Sequence, residues 1–119
     1  MKPNIVKDKS FAFALRIVKL YKYLVADKKE FVMSKQLLRS GTAIGALIRE
    51  AEQAESKADF IHKIAISLKE ANETEYWLDI LYQSEYLDEP SYKLISADIA
   101  ELLRLLISIL KSSKENGKR

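Results

Sequence analysis

The chain's single histidine, His62, follows Asp59 by three residues and Glu55 by seven, so on a helix all three share one face. Imidazole and carboxylate at that spacing are the materials of a metal site inside a helical bundle. A carboxylate-bridged di-metal centre, however, needs two Glu-x-x-His pairs and further glutamates from other helices. One histidine cannot supply them, and a mononuclear site would lack a second nitrogen ligand. His62 therefore reads as a boundary residue near a helix start, and no metal site is expected. A second acidic group, Glu70, Glu73, Glu75 and Asp79, raises the paired carboxylates of glycoside hydrolysis. On a helix, though, Glu70 and Glu73 are ordinary surface neighbours that repel only mildly. Glu73 lies near the apolar face and is expected to pair with Arg39 or Arg49 of the adjacent helix, fixing register more than adding stability. The sequence has no Ser/His/Asp set, no phosphate-binding glycine loop, no dinucleotide fingerprint and no cysteine. The expectation is a protein that is not an enzyme and holds no cofactor.

Basic residues offer a different chemistry. Lys9, Arg16, Lys19 and Lys22 recur at three- and seven-residue intervals and form one ridge on a helix. Each phosphate that such a ridge neutralises releases counterions, so a modest charge repeated over several copies becomes appreciable affinity for RNA or DNA. The competing reading is a plain solvated lysine face.

Both readings depend on the elements that carry these residues. Pro3 and Pro90 are the only prolines, and Gly41, Gly45 and Gly117 the only glycines, so the chain is expected to be almost wholly helical. Four helices are predicted near 8–28, 34–55, 57–86 and 90–112, followed by a frayed basic tail over 113–119. Ser34 and Ser56 are candidate N-caps, and Asp88 or Glu89 caps ahead of Pro90. In the first helix Phe11, Leu15, Val18, Tyr21 and Val25 form an apolar stripe, with Phe13, Ile17, Leu20 and Leu24 beside it. The fourth helix, with Leu102, Leu103, Leu105, Leu106, Ile107, Ile109 and Leu110, is apolar around most of its circumference. A bundle helix needs only a stripe, so the excess on both reads as subunit interface. Short connections make neighbours antiparallel, giving a single all-α, up-down-up-down four-helix bundle over residues 1–119. Gly41 and Gly45 cost roughly 1 kcal/mol each in a helix and sit on one face, where they let a neighbouring helix come close.

Charge is segregated along the chain. Residues 1–40 hold ten basic against three acidic groups, 41–90 hold four against eleven, and 91–119 hold six against three. The first ten residues lack the apolar run of a secretory signal, and no stretch approaches the about 20 residues of a membrane span. A cytoplasmic, bacterial-type protein is the expectation.

The segments RSGTAIGALIREA (39–51) and SKADFIHKIAISLKEANETEYWL (56–78) resemble the four-helix bundle family of 23S rRNA intervening-sequence proteins, itself similar to the accessory variability determinant of diversity-generating retroelements. The resemblance runs over about 8–112 and is carried best by Arg39-Ser40, Ile44-Gly45, Asp59-Phe60-Ile61, Leu68-Lys69-Glu70-Ala71 and Glu73 to Leu78. It implies a bundle assembled into a homo-pentameric ring. By the retroelement branch it implies nucleic acid and a reverse transcriptase as partners, engaged through basic surfaces. Two functions follow as expectations: an accessory bundle that binds RNA, or a protein-interaction scaffold whose partner docks on the acidic second and third helices.

Overall fold

The computed structural model describes residues 3–117, with side chains from Ile5 to Glu115. Four helices follow one another: α1 Pro3–Ala26, α2 Met33–Glu52, α3 Lys57–Gln83 and α4 Glu89–Gly117. Each packs on the next and α4 closes onto α1, while the diagonal pairs keep their backbones apart. Across the α1/α4 seam Lys9 meets Glu101 and Arg16 meets Asp98, so numbering rises on one helix as it falls on the other. The result is the expected all-α antiparallel bundle, 52 Å long and 22 by 19 Å across.

The helix ends show why the chain breaks where it does. Ser56 caps α3 by accepting the Asp59 N–H at 3.0 Å, and Asp59 in turn accepts the Glu55 N–H at 3.3 Å. Asp88 caps α4 by accepting the Ser91 N–H at 2.8 Å, which holds its carboxyl below the ordinary range. Ser34 does not cap α2 as expected, because the helix already begins at Met33 and Ser34 is buried inside its first turn. Glu30 takes that part. Its carboxylate accepts the N–H groups of Val32 (3.2 Å), Met33 (3.1 Å) and Ser34 (2.7 Å), and the Ser34 hydroxyl donates back to the Glu30 carbonyl at 2.8 Å. Burial alone would raise its pKa. The N–H donors of Ser34, Met33 and Val32 outweigh that and hold the carboxyl below its ordinary 4.5.

At the end of α3, Glu85 takes a left-handed backbone (φ 68°), with Tyr86 N–H donating to the Leu81 carbonyl and Glu85 N–H to that of Tyr82. This is a Schellman termination with glutamate where glycine is usual. α1, α2 and α3 end at Ala26, Glu52 and Gln83, a little before the expected 28, 55 and 86, and two boundaries move further. α1 starts at Pro3 rather than near residue 8, because Val6 is fully buried and gives the first turns something to pack. α4 runs to Gly117, so 113–117 is helix rather than frayed tail, with Lys114 favourably placed at the negative end of the dipole. Residues 118 and 119 lie outside the described residues.

The core also corrects the reading of α1. Val6, Phe13, Ile17 and Leu24 are the buried stripe, whereas Phe11 and Leu15, expected to lead it, are half exposed. On α4, Ile95, Ile99, Leu102, Leu106, Ile109 and Leu110 are buried, and Leu94 and Ile107 stand outside. The apolar excess is therefore real but narrower than the sequence implies. Between α2 and α3 the packing is small and hydroxylated. The Ser67 hydroxyl donates to the Ile44 carbonyl at 2.9 Å, and Thr74 Oγ1 lies 2.9 Å from Ser40 Oγ and 2.7 Å from the Glu70 carbonyl oxygen. Every fully buried side-chain polar atom among the described residues has a partner.

Candidate nucleic-acid interface

The glycine pair faces α1. A Cβ at Gly41 would stand 2.9 Å from both γ carbons of Ile17, and one at Gly45 would stand 3.2 Å from Ser10 Oγ. The two helices approach closely there because nothing protrudes from α2, which holds the basic first helix against the second.

The ridge of Lys9, Arg16, Lys19 and Lys22 is divided by this packing. Lys9 Nζ lies 3.1 Å from Glu101 Oε2, and Arg16 Nη1 donates to Asp98 Oδ2 at 2.9 Å. Both face α4, where α1 and α4 leave an open groove floored by Leu20, Leu87 and Ile95 and lipped by Tyr23 and Leu94. Such partly exposed pairs contribute about 0.2–1 kcal/mol, yet each cancels a charge that a phosphate would otherwise meet. Lys19 and Lys22 are exposed and have no carboxylate oxygen within 4.0 Å among the described residues.

At the same end, beside exposed Asp27 and the Glu85 and Asp88 that share a cleft with Lys28, lie further basic side chains that periodicity along one helix does not pick out. Lys28 and Lys29 occupy the α1–α2 connection and Lys35 the first turn of α2, all exposed. The one acidic side chain most deeply set among them, Glu30, is turned inward to the α2 N-terminus. The signal was present in the sequence as charge density around a turn, which a search for helical spacing passes over.

Of the four acidic candidates, Glu73 and Asp79 make side-chain hydrogen bonds within the bundle. Glu73 does not pair with Arg39 or Arg49. Thr74 occupies the α3 face against α2, which turns Glu73 one residue further round to accept the Trp77 indole N–H at 3.1 Å. Arg49 lies over the Phe11 ring, 5.1 Å from its centroid, and Arg39 is exposed on the outside of α2. Asp79 accepts the Tyr92 hydroxyl at 2.6 Å, which pushes that phenol above its ordinary value, while Tyr92 stacks on Tyr82 at 4.1 Å. His62 is exposed on α3, and no group of three or more His, Cys, Asp or Glu among the described residues could hold a metal. No helix among them is long and apolar enough to cross a membrane.

The family model described as "23S rRNA-intervening sequence protein" matches residues 2–108. The chain belongs to the 23S rRNA-intervening sequence protein family. A solved relative, a protein of unknown function from the S23 ribosomal protein family of Bacteroides thetaiotaomicron, is 65% identical over 93% of this chain and 99% of that one, with a TM-score of 0.91. No curated protein matches. Membership in the intervening-sequence family thus carries the bundle, and the relative's function is itself open.

Proposed function

We propose that this chain is a non-enzymatic accessory bundle that self-associates and binds nucleic acid through the α1–α2 end. The observation that carries the reading is the group of exposed lysines there: Lys19, Lys22, Lys28, Lys29 and Lys35. RNA is the nucleic acid to test first, because the family takes its name from an intervening sequence of 23S rRNA. Contacts from lysine to phosphate read charge and spacing rather than base identity, so affinity should be nearly indifferent to sequence. Self-association, in five copies on the family resemblance, would repeat the lysine end around one rim and multiply its field.

The test is fluorescence anisotropy of a labelled single-stranded RNA against the wild type and a Lys22→Glu/Lys29→Glu/Lys35→Glu variant. The wild type should weaken steeply as salt rises. The variant should bind at least tenfold less tightly, with a log–log salt slope shallower by about 0.7 per lost phosphate contact. Unchanged affinity in the variant would remove the lysine end. A partner captured from lysate that survives nuclease would move the case to the protein scaffold, a reverse transcriptase being one such partner.

A further inference from the structure

The open groove between α1 and α4 lies at the same end of the bundle as the lysines and has a volume of about 690 Å³. Sites that take small ligands run to about 300–1,000 Å³, so the space admits a flat ring with room to spare. Leu87 and Ile95 in its floor are buried, while the apolar side chains at its mouth are not: Tyr23 of α1 is 39% exposed and Leu94 of α4 is 74% exposed. The α1 wall is also where the cations stand. Lys19 lines the groove one turn before Tyr23, and Lys22 adjoins Tyr23 in sequence. Tyr23 is shared with the neighbouring cleft that holds Lys28. The α4 wall carries carboxylates, and both are engaged: Asp98 accepts from Arg16 at 2.9 Å and Asp88 from the Ser91 N–H at 2.8 Å. A polyanion would therefore keep its phosphates on the α1 side and present only its uncharged parts to the groove.

We infer that the groove takes an unstacked base of single-stranded RNA, with Tyr23 as its platform and the strand's phosphates along Lys19, Lys22 and Lys28. An aromatic ring beside a row of cations is the arrangement that holds single strands, because the backbone follows the charge while a base leaves water for the ring. A base inside a duplex is paired and stacked, so it cannot reach the floor of the groove. The lysines alone would not make that distinction. Stacking on a phenol over an aliphatic floor accepts any base, so the expected indifference to sequence is kept. The inference rests on the RNA binding proposed above and deepens it from charge to strandedness.

Fluorescence anisotropy tests it with a labelled single-stranded RNA and the blunt duplex of the same sequence, against the wild type, Tyr23→Ala and Tyr23→Phe. Tyr23 is exposed, so melting curves should stay close to wild type and separate lost binding from lost folding. Tyr23→Ala should weaken the single strand by about fivefold or more and leave duplex affinity where it was. Its log–log salt slope should not change, because no phosphate contact is lost, whereas the lysine variant above should lower that slope. Tyr23→Phe keeps the ring and should keep the affinity. A strand carrying iodouracil should, on irradiation, attach to Tyr23. Equal losses for both RNAs, a shallower salt slope, no loss at all, or crosslinks confined to other residues would each overturn the base groove while the lysine end stands. In the case of no loss, the groove is left to a protein segment. A wild type that binds neither RNA removes the lysine end, and this inference with it.

Discussion

Gly41→Ala and Gly45→Ala form a matched pair that measures how close α1 and α2 come. Both substitutions gain about 1 kcal/mol of helix propensity, so propensity cancels in the comparison. At Gly41 the new Cβ would lie 2.9 Å from two carbons of Ile17, well inside ordinary contact. Ile17 is fully buried and β-branched, and a helix leaves it essentially one χ1 rotamer, so it cannot swing aside. The helices must separate or the side chain must strain, at about 1–3 kcal/mol. At Gly45 the nearest atom is the Ser10 hydroxyl at 3.2 Å, and the backbone behind it is 3.5 Å away. That hydroxyl donates to the Lys7 carbonyl and needs to give only a few tenths of an ångström. Gly45→Ala should therefore be neutral or stabilising, and less stable Gly41→Ala should trail it by about 1–3 kcal/mol. Urea denaturation followed by far-ultraviolet circular dichroism, at one fixed protein concentration, reads the difference. Adding Ile17→Ala should abolish the Gly41→Ala penalty, giving a coupling of similar size in a double-mutant cycle. Equal stability of the two alanine variants would refute the close approach at Gly41.

Two further substitutions test the helix ends. Glu30→Gln should cost about 0.5–2 kcal/mol at pH 7 by removing the charge that caps α2. Because the Glu30 carboxyl is held below its ordinary 4.5, its contribution is complete above that value and fades as pH falls through the lower folded one. Urea midpoints of variant and wild type should accordingly converge in acid, and a gap that persists unchanged would sink the assignment. Glu85→Gly should stabilise by about 1 kcal/mol, since the left-handed backbone at φ 68° burdens any residue with a Cβ. A lower melting temperature in that variant would mean that the glutamate side chain contributes more than its backbone costs.

What the sequence disclosed followed physical range. Breakers and caps act within a few residues, so four helices, the Ser56 cap and the Asp88–Pro90 start of α4 were legible. The face of α1 was not. Phe11, Leu15 and Val18 fall at helical spacing just as Phe13, Ile17 and Leu24 do, and what marks the second set is a partner on another helix, as Gly41 leaves room on α2 for Ile17. Likewise, helical spacing identifies which lysines align but not which carboxylates arrive from α4, so Lys9 and Arg16 looked free until Glu101 and Asp98 were placed opposite them. Glu73 was assigned to the wrong partner for the same reason, one residue of rotation on α3 separating it from α2.

In this bundle, neighbours in sequence are neighbours in space, except where α4 returns to α1, and there the two helices meet more sparsely than any other adjacent pair. The hydroxyl-bonded α2–α3 hairpin can consequently assemble from local contacts alone, with little loop entropy to overcome, and the outer helices add to it afterwards. Opening should follow the reverse order. The amides of α4 and of the first turns of α1 exchange with solvent through partial detachment, while those around Ser40, Ile44, Ser67 and Thr74 wait for complete unfolding. Native-state hydrogen exchange would show this as two tiers of protection along one short chain.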